Sequence, residues 1–162
     1  MALREISLTL TNRPGALAGV ARMLAAERIN LAAVSVDSTA GRGRVRLIVS
    51  APERALELLQ RAGFEPEVRE MIAVRLEDRA GSFLKVLEVL ARARVNLVSA
   101  AILVAREGNQ PLVALGTSNP ARARTILARA GFASEIAEGV VSNSDLLAGA
   151  ASVPDESVGL LL

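Results

Sequence analysis

Four residue groupings in the 162-residue sequence could do chemistry. Ser82 and Lys85 stand at the Ser-x-x-Lys spacing with which a lysine can activate a serine for acyl transfer. The chain is too short for the folds that use this pair, and no Lys-Thr-Gly partner follows, so catalysis here is not expected. Gly41-Arg42-Gly43 lacks the third glycine and the strand-to-helix setting of a dinucleotide loop, and is read as a hairpin turn. The remaining two are turns of similar composition, Asn12-Arg13-Pro14-Gly15 and Asp78-Arg79-Ala80-Gly81. Each offers a polar side chain and a glycine just ahead of an apolar helical pattern. The residues that do not occur narrow the options further. Without Cys there is no thiolate nucleophile, disulfide, iron–sulfur cluster or structural zinc site, and without His the commonest general base and metal ligand are gone. Apart from Lys85 every cation is an arginine. Neither an enzyme activity nor a cofactor is expected.

Those two turns are copies of each other. Residues 12–31 and 78–97 align at an offset of 66 with eight of twenty positions identical, and later pairs such as Val45/Val113, Ala55/Ala123 and Leu59/Leu127 align at 68. Two extra residues near 106–110 in the second copy account for the change. Each copy reads as strand, helix, two strands, helix, strand. Ile6, Leu8 and Leu10 alternate with polar residues, as in a half-buried strand. Pro14 suits the first position of a helix whose face carries Leu17, Val20, Ala21 and Leu24. A β-branched strand follows from residue 30, then a strand through Val45, Leu47 and Val49. A second helix opens at Pro52 and stops at Gly63, and residues 67–70 make a short fourth strand. The second copy repeats this with Ile72, Val74 and Leu76, then Phe83, Val86 and Leu90, then Val113 and Leu115, then Ala123 and Leu127. The expected fold class is α+β: two ferredoxin-like βαββαβ units, residues 1–70 and 71–140, each an antiparallel sheet with helices on one face, and a tail at 141–162.

The other face of each sheet is expected to be open. In the first copy Arg44 and Arg46 suit it to water. In the second, the strand across residues 97–105 is apolar on both sides, which predicts an interface. A second chain in a homodimer is the simplest cover, with the closing Leu160-Leu161-Leu162 folded back as the alternative. Phe64, Phe83 and Phe132 fall on or just after helices and read as core residues. Without strand aromatics for base stacking, and with a net charge of only +2, nucleic acid is not an expected partner. No apolar run long enough for a membrane span and no leader are visible, so a soluble cytoplasmic protein is expected.

The repeat unit resembles the ACT domain, an amino-acid-sensing module of metabolic regulation. The likeness rests on the first strand, on Asn12-Arg13-Pro14-Gly15-x-Leu17, and on a helix ending near Asn30-Leu31, and spans residues 4–140. It implies a non-enzymatic, homodimeric regulatory protein that binds a free amino acid where two units meet. The alternatives it implies are a regulatory subunit of a biosynthetic enzyme such as acetohydroxyacid synthase, or an accessory regulator of the glycine-cleavage repressor kind. By that resemblance the binding residues are Asn12, Arg13, Pro14, Gly15, Ala16 and Leu17, with a twin set of Asp78, Arg79, Ala80, Gly81, Ser82 and Phe83. A helix N-terminus offers unpaired N–H groups to a carboxylate, Gly15 permits close approach, and Asn12 or Asp78 can meet an ammonium.

Overall fold

The structure, a computed structural model, describes residues 3–39, 41–103 and 111–132 and the strand at 134–135. The expected tail and the extra residues near 106–110 lie outside these. The elements run β1 (Leu3–Thr11), α1 (Ala16–Ala26), β2 (Leu31–Thr39), β3 (Arg42–Val49), α2 (Pro52–Arg61), β4 (Glu67–Arg75), α3 (Ser82–Arg92), β5 (Leu97–Leu103), β6 (Leu112–Thr117), α4 (Pro120–Arg129) and β7 (Ser134–Glu135). Among the described residues no helix is long and apolar enough to cross a membrane.

The expected α+β fold is present, with a tighter join than the sequence suggested. The fourth strand of the first repeat and the first strand of the second are one strand, β4. Its residues 67–71 pair with β1, and its residues 72–75 pair with β6. The boundary expected at 70/71 therefore falls inside a strand. All strands join in the order β2-β3-β1-β4-β6-β5, every pairing antiparallel, with β7 on β4.

Three apolar clusters form. Ile6, Leu8, Leu10, Val45 and Leu47 meet Val20 and Leu24 of α1 and Ala55 and Leu59 of α2. Ile72, Val74, Val113 and Leu115 meet Val86 and Leu90 of α3 and Ala123 and Leu127 of α4. The third cluster has no helix in it: Leu3, Ile48, Met71, Ala73, Leu103, Leu112 and Ala114. The alternation along β4 explains the division, because Met71 and Ala73 point to the third cluster while Ile72 and Val74 point to the second.

This third cluster corrects the expectation of open faces. β1 and β5 are three strand spacings apart in the sheet, roughly 14 Å if it lay flat. Yet the Ser99 hydroxyl on β5 donates to Glu5 Oε1 on β1 at 3.2 Å. The sheet therefore folds back on itself at β4, and the two helix-free faces pack on each other in a helix–sheet–sheet–helix sandwich. The first repeat's sheet covers the helix-free face of the second repeat's sheet. Small side chains make this possible: Ala33 and Ser35 of β2 face Ser99 and Ala101 of β5 across a gap of about 110 Å³.

The helix starts also differ in detail. Pro14 lies in the turn, and α1 begins at Ala16 with Gly15 as its N-cap at φ 83°. Gly81 holds the same place before α3 at φ 86°. A positive φ here needs glycine, which explains why both turns carry one. The three phenylalanines are half-buried against the helix-facing clusters, as expected.

Candidate functional site

Each candidate loop links a central strand to the helix above it, β1 to α1 and β4 to α3. Neither Asn12 nor Asp78 caps its helix, because the N-cap positions belong to Gly15 and Gly81 and no side chain caps either. The Ala16 and Ser82 N–H groups donate to the Arg13 and Arg79 carbonyls at 3.2 Å, which leaves the next N–H groups of each helix head without a cap. Neither helix carries an acidic residue in its first turn, so both helix heads are electropositive.

The first loop is tied to its neighbouring hairpin. The Asn12 side-chain amide donates to the Ser38 hydroxyl at 2.7 Å, and its backbone N–H donates to the Gly41 carbonyl at 3.0 Å. Asn12, Arg13, Pro14 and Gly15 are exposed, while Ala16 and Leu17 pack on the first cluster. Two of the six motif residues are therefore helix anchorage.

A cleft of about 260 Å³ opens at the second loop. Asp78, Arg79, Ser82 and Phe83 line it, whereas Ala80 and Gly81 of the expected set do not. Phe83 also packs on the second cluster. Arg79 is ion-paired with Glu77 at the rim. The opposite wall comes from β5, through Ala100 and Ile102, and the floor from Leu76 and Val113. Ile102 is 72% exposed, although it is one of the larger apolar side chains of the molecule. The cleft thus joins a carboxylate, a helix head and an apolar wall. That set can hold an ammonium, a carboxylate and an aliphatic side chain at once. Among the described residues no group of three or more acidic side chains is placed to hold a metal ion.

Sequence reasoning missed the β5 wall and the Leu76/Val113 floor. The signal was present in the strand that is apolar on both sides. Its Ser99, Ala101 and Leu103 turn to the other sheet, and its Val98, Ala100 and Ile102 turn outward. The corresponding outward residues of β2, Val34 and Val36, are 51% and 52% exposed. Because the sheet is folded, β2 and β5 lie beside each other and form a double edge, unpaired among the described residues and flanked by these apolar side chains.

Residues 1–82, just over half of the chain, match the family model described as an ACT domain pair. A solved protein from Bacteroides thetaiotaomicron is 26% identical, with 82% of this chain and 90% of that one covered at a TM-score of 0.74. The regulatory subunit of aspartate kinase from Thermus thermophilus, solved without ligand, is 17% identical, covering 80% and 93% at a TM-score of 0.58. The same subunit from Thermus flavus is 19% identical, covering 80% and 90% at 0.59. At these last two identities the likeness is one of fold. No curated protein matches the chain.

Proposed function

This chain belongs to the ACT domain family, as an ACT domain pair, and on that premise we propose that it is a non-catalytic regulatory protein whose second repeat binds a free amino acid. The observation that carries this reading is the cleft between the loop at 78–83 and β5. Asp78 takes the ammonium, the uncapped N–H groups at the head of α3 take the carboxylate, and Phe83, Ile102 and Val113 take the side chain. The first loop plays the structural part, because its Asn12 amide is engaged by Ser38.

The cleft is open at the β5 edge, and we infer that a second copy closes it. Val34, Val36, Val98 and Ile102 are apolar, exposed and next to unpaired strand edges, and an edge of that kind invites another strand. A ligand seated at the edge then binds the paired and unpaired states differently, which is the requirement for signalling by linkage. The likeness in fold to regulatory subunits of aspartate kinase supports a biosynthetic enzyme as the partner that reads this change.

Thermal unfolding against the twenty amino acids at millimolar concentration tests the reading. Saturation to a hundred times Kd adds about 2.7 kcal/mol, a rise of roughly 5–10 °C for a chain of this size. One amino acid, or one group of similar ones, is expected to give this rise, and sedimentation is expected to show a dimer that Ile102→Glu weakens. No shift from any of the twenty would sink the proposal.

A further inference from the structure

The net charge of +2 hides a division along the chain. Residues 1–129 hold all nineteen cations and twelve carboxylates, a net charge of +7, whereas residues 130–162 hold five carboxylates and no cation. Within the first part the excess falls in the second repeat, with nine cations and four carboxylates in residues 71–129 against ten and eight in residues 1–70. Most of it lies on α3, α4 and the turn after α3, where Lys85, Arg92, Arg94, Arg122, Arg124 and Arg129 are all exposed. Carboxylates answer two of these: Glu88 meets Arg92, and Glu70 meets Arg124. Arg94, Arg122 and Arg129 have no ion-pair partner among the described residues.

The internal repeat provides a control. Arg54 and Arg61 of α2 stand where Arg122 and Arg129 stand in α4, and both are paired, with Glu27 at 3.1 Å and with Glu57 at 3.0 Å. Glu53, in the first turn of α2, meets Arg4 at 3.1 Å. The second repeat keeps both helix arginines and loses all three carboxylates: Ala93, Thr125 and Ala121 replace Glu27, Glu57 and Glu53. Arg122 is thereby left in a first turn that carries no acidic residue, where a cation opposes the helix dipole. Helix stability does not account for it, and an acidic occupant of this face does. The face also gains an apolar contact, since Leu84, 56% exposed, stands in place of Ala18.

We propose that residues 136–162 of this chain dock along the exposed side of α3 and α4. The segment has the matching composition: Glu138, Asp145, Asp155 and Glu156 supply the charge, and the leucines at 146, 147 and 160–162 supply apolar contact for Leu84. It also starts in the right place, because β7 ends at Glu135 and lies against α4. The 27 residues could extend about 90 Å, whereas the ten-residue α4 is about 15 Å long, so both helices are within reach. Exposed ion pairs are individually weak, but a tether holds the segment at an effective concentration on the order of millimolar, so weak contacts suffice. This docking does not rest on the amino-acid cleft, which opens on the β5 side of the second loop.

The chain has no cysteine, so a pair can be introduced into the full chain as label sites, Ala128→Cys on α4 and Ala150→Cys in the segment. Spin labels there should give a narrow distance distribution at low salt, and it should broaden between about 0.05 and about 1 M salt as screening grows. Arg122→Gln with Arg129→Gln should lower the narrow fraction about threefold or more, and so should Asp145→Asn with Asp155→Asn and Glu156→Gln. The paired arginines of the first repeat are the control, and Arg54→Gln with Arg61→Gln should leave the distribution unchanged. A cooperative thermal transition in each variant ensures that misfolding does not imitate the result. Dilution into excess unlabelled protein should also change nothing; loss of the narrow component there would assign the contact to a second copy and overturn the proposal. A broad distribution at low salt overturns it as well and leaves the face to an acidic partner. So does a narrow one that neither set of neutralising substitutions alters.

Discussion

Glu5 shows how far a single residue's surroundings can depart from its sequence pattern. It sits on the polar side of an alternating strand, yet only 3% of it is exposed. Its carboxylate accepts from Ser99 at 3.2 Å and from Arg69 at 3.2 Å, which ties three strands across the joint between the sheets. Removing Arg69 leaves a buried carboxylate without its cation. Arg69→Ala should therefore cost about 2–3 kcal/mol, discounted from the cost of a fully buried pair because Arg69 is itself 40% exposed. Chemical denaturation of the variant measures it, and Glu5→Gln should be milder because it removes the buried charge itself and leaves Arg69, 40% exposed, to be solvated. Gly116 holds room for this group: a Cβ there would stand 2.4 Å from Ser99 Oγ and 2.9 Å from Met71 Sδ. Thr117 raises the opposite case. It takes the place of Val49 in the first repeat, is 5% exposed, and buries a hydroxyl with no partner among the described residues. Thr117→Val should raise stability by about 1 kcal/mol, seen as a Tm increase of roughly 2–4 °C. None of this was legible in the sequence, because alternation marks which side a residue faces and not what lies there.

At the scale of the elements the sequence was a better guide. Period-two and helical spacing placed all four helices and the main strands, because the residues on each helix-facing side are the ones that bury. The errors are at the ends. Both α1 and α3 stop with an arginine in the left-handed region, Arg28 and Arg94 at φ 55°, where a glycine is the usual signal. The closing bonds are present nonetheless: Ile29 N–H to the Leu24 carbonyl at 2.8 Å, and Val95 N–H to that of Leu90 at 2.9 Å. A residue carrying a Cβ is strained at positive φ, so Arg94→Gly should stabilise the protein by about 0.5–1 kcal/mol, measurable by thermal unfolding. α4 has a true side-chain cap, with Asn119 Oδ1 accepting from the Arg122 N–H at 3.0 Å. Asn119→Ala should cost about 1 kcal/mol. The fusion of two expected strands into β4 was hidden for a related reason. Four successive apolar residues, 71–74, are buried on both faces and give no alternation to read.

At the scale of the molecule, the repeat was legible and its closure was not. Each unit taken alone has one free face, for which a second chain is the simplest cover. What covers it is its own twin, made possible by alanine, serine and glycine where larger side chains would hold the sheets apart. That closure places β2 and β5 side by side and leaves the double edge, and the cleft beside Asp78, as the surfaces on which the proposed binding rests. It also makes the two loops unequal, since one is tied down by Ser38 and the other opens onto a cleft. The most direct measurement of that inequality is titration calorimetry of the most stabilising amino acid into the wild type, Asn12→Ala and Asp78→Ala. The account predicts one site per chain, a loss of at least tenfold in affinity for Asp78→Ala, and a change of less than threefold for Asn12→Ala. Two sites per chain, or an affinity lost with Asn12 and kept without Asp78, would contradict it.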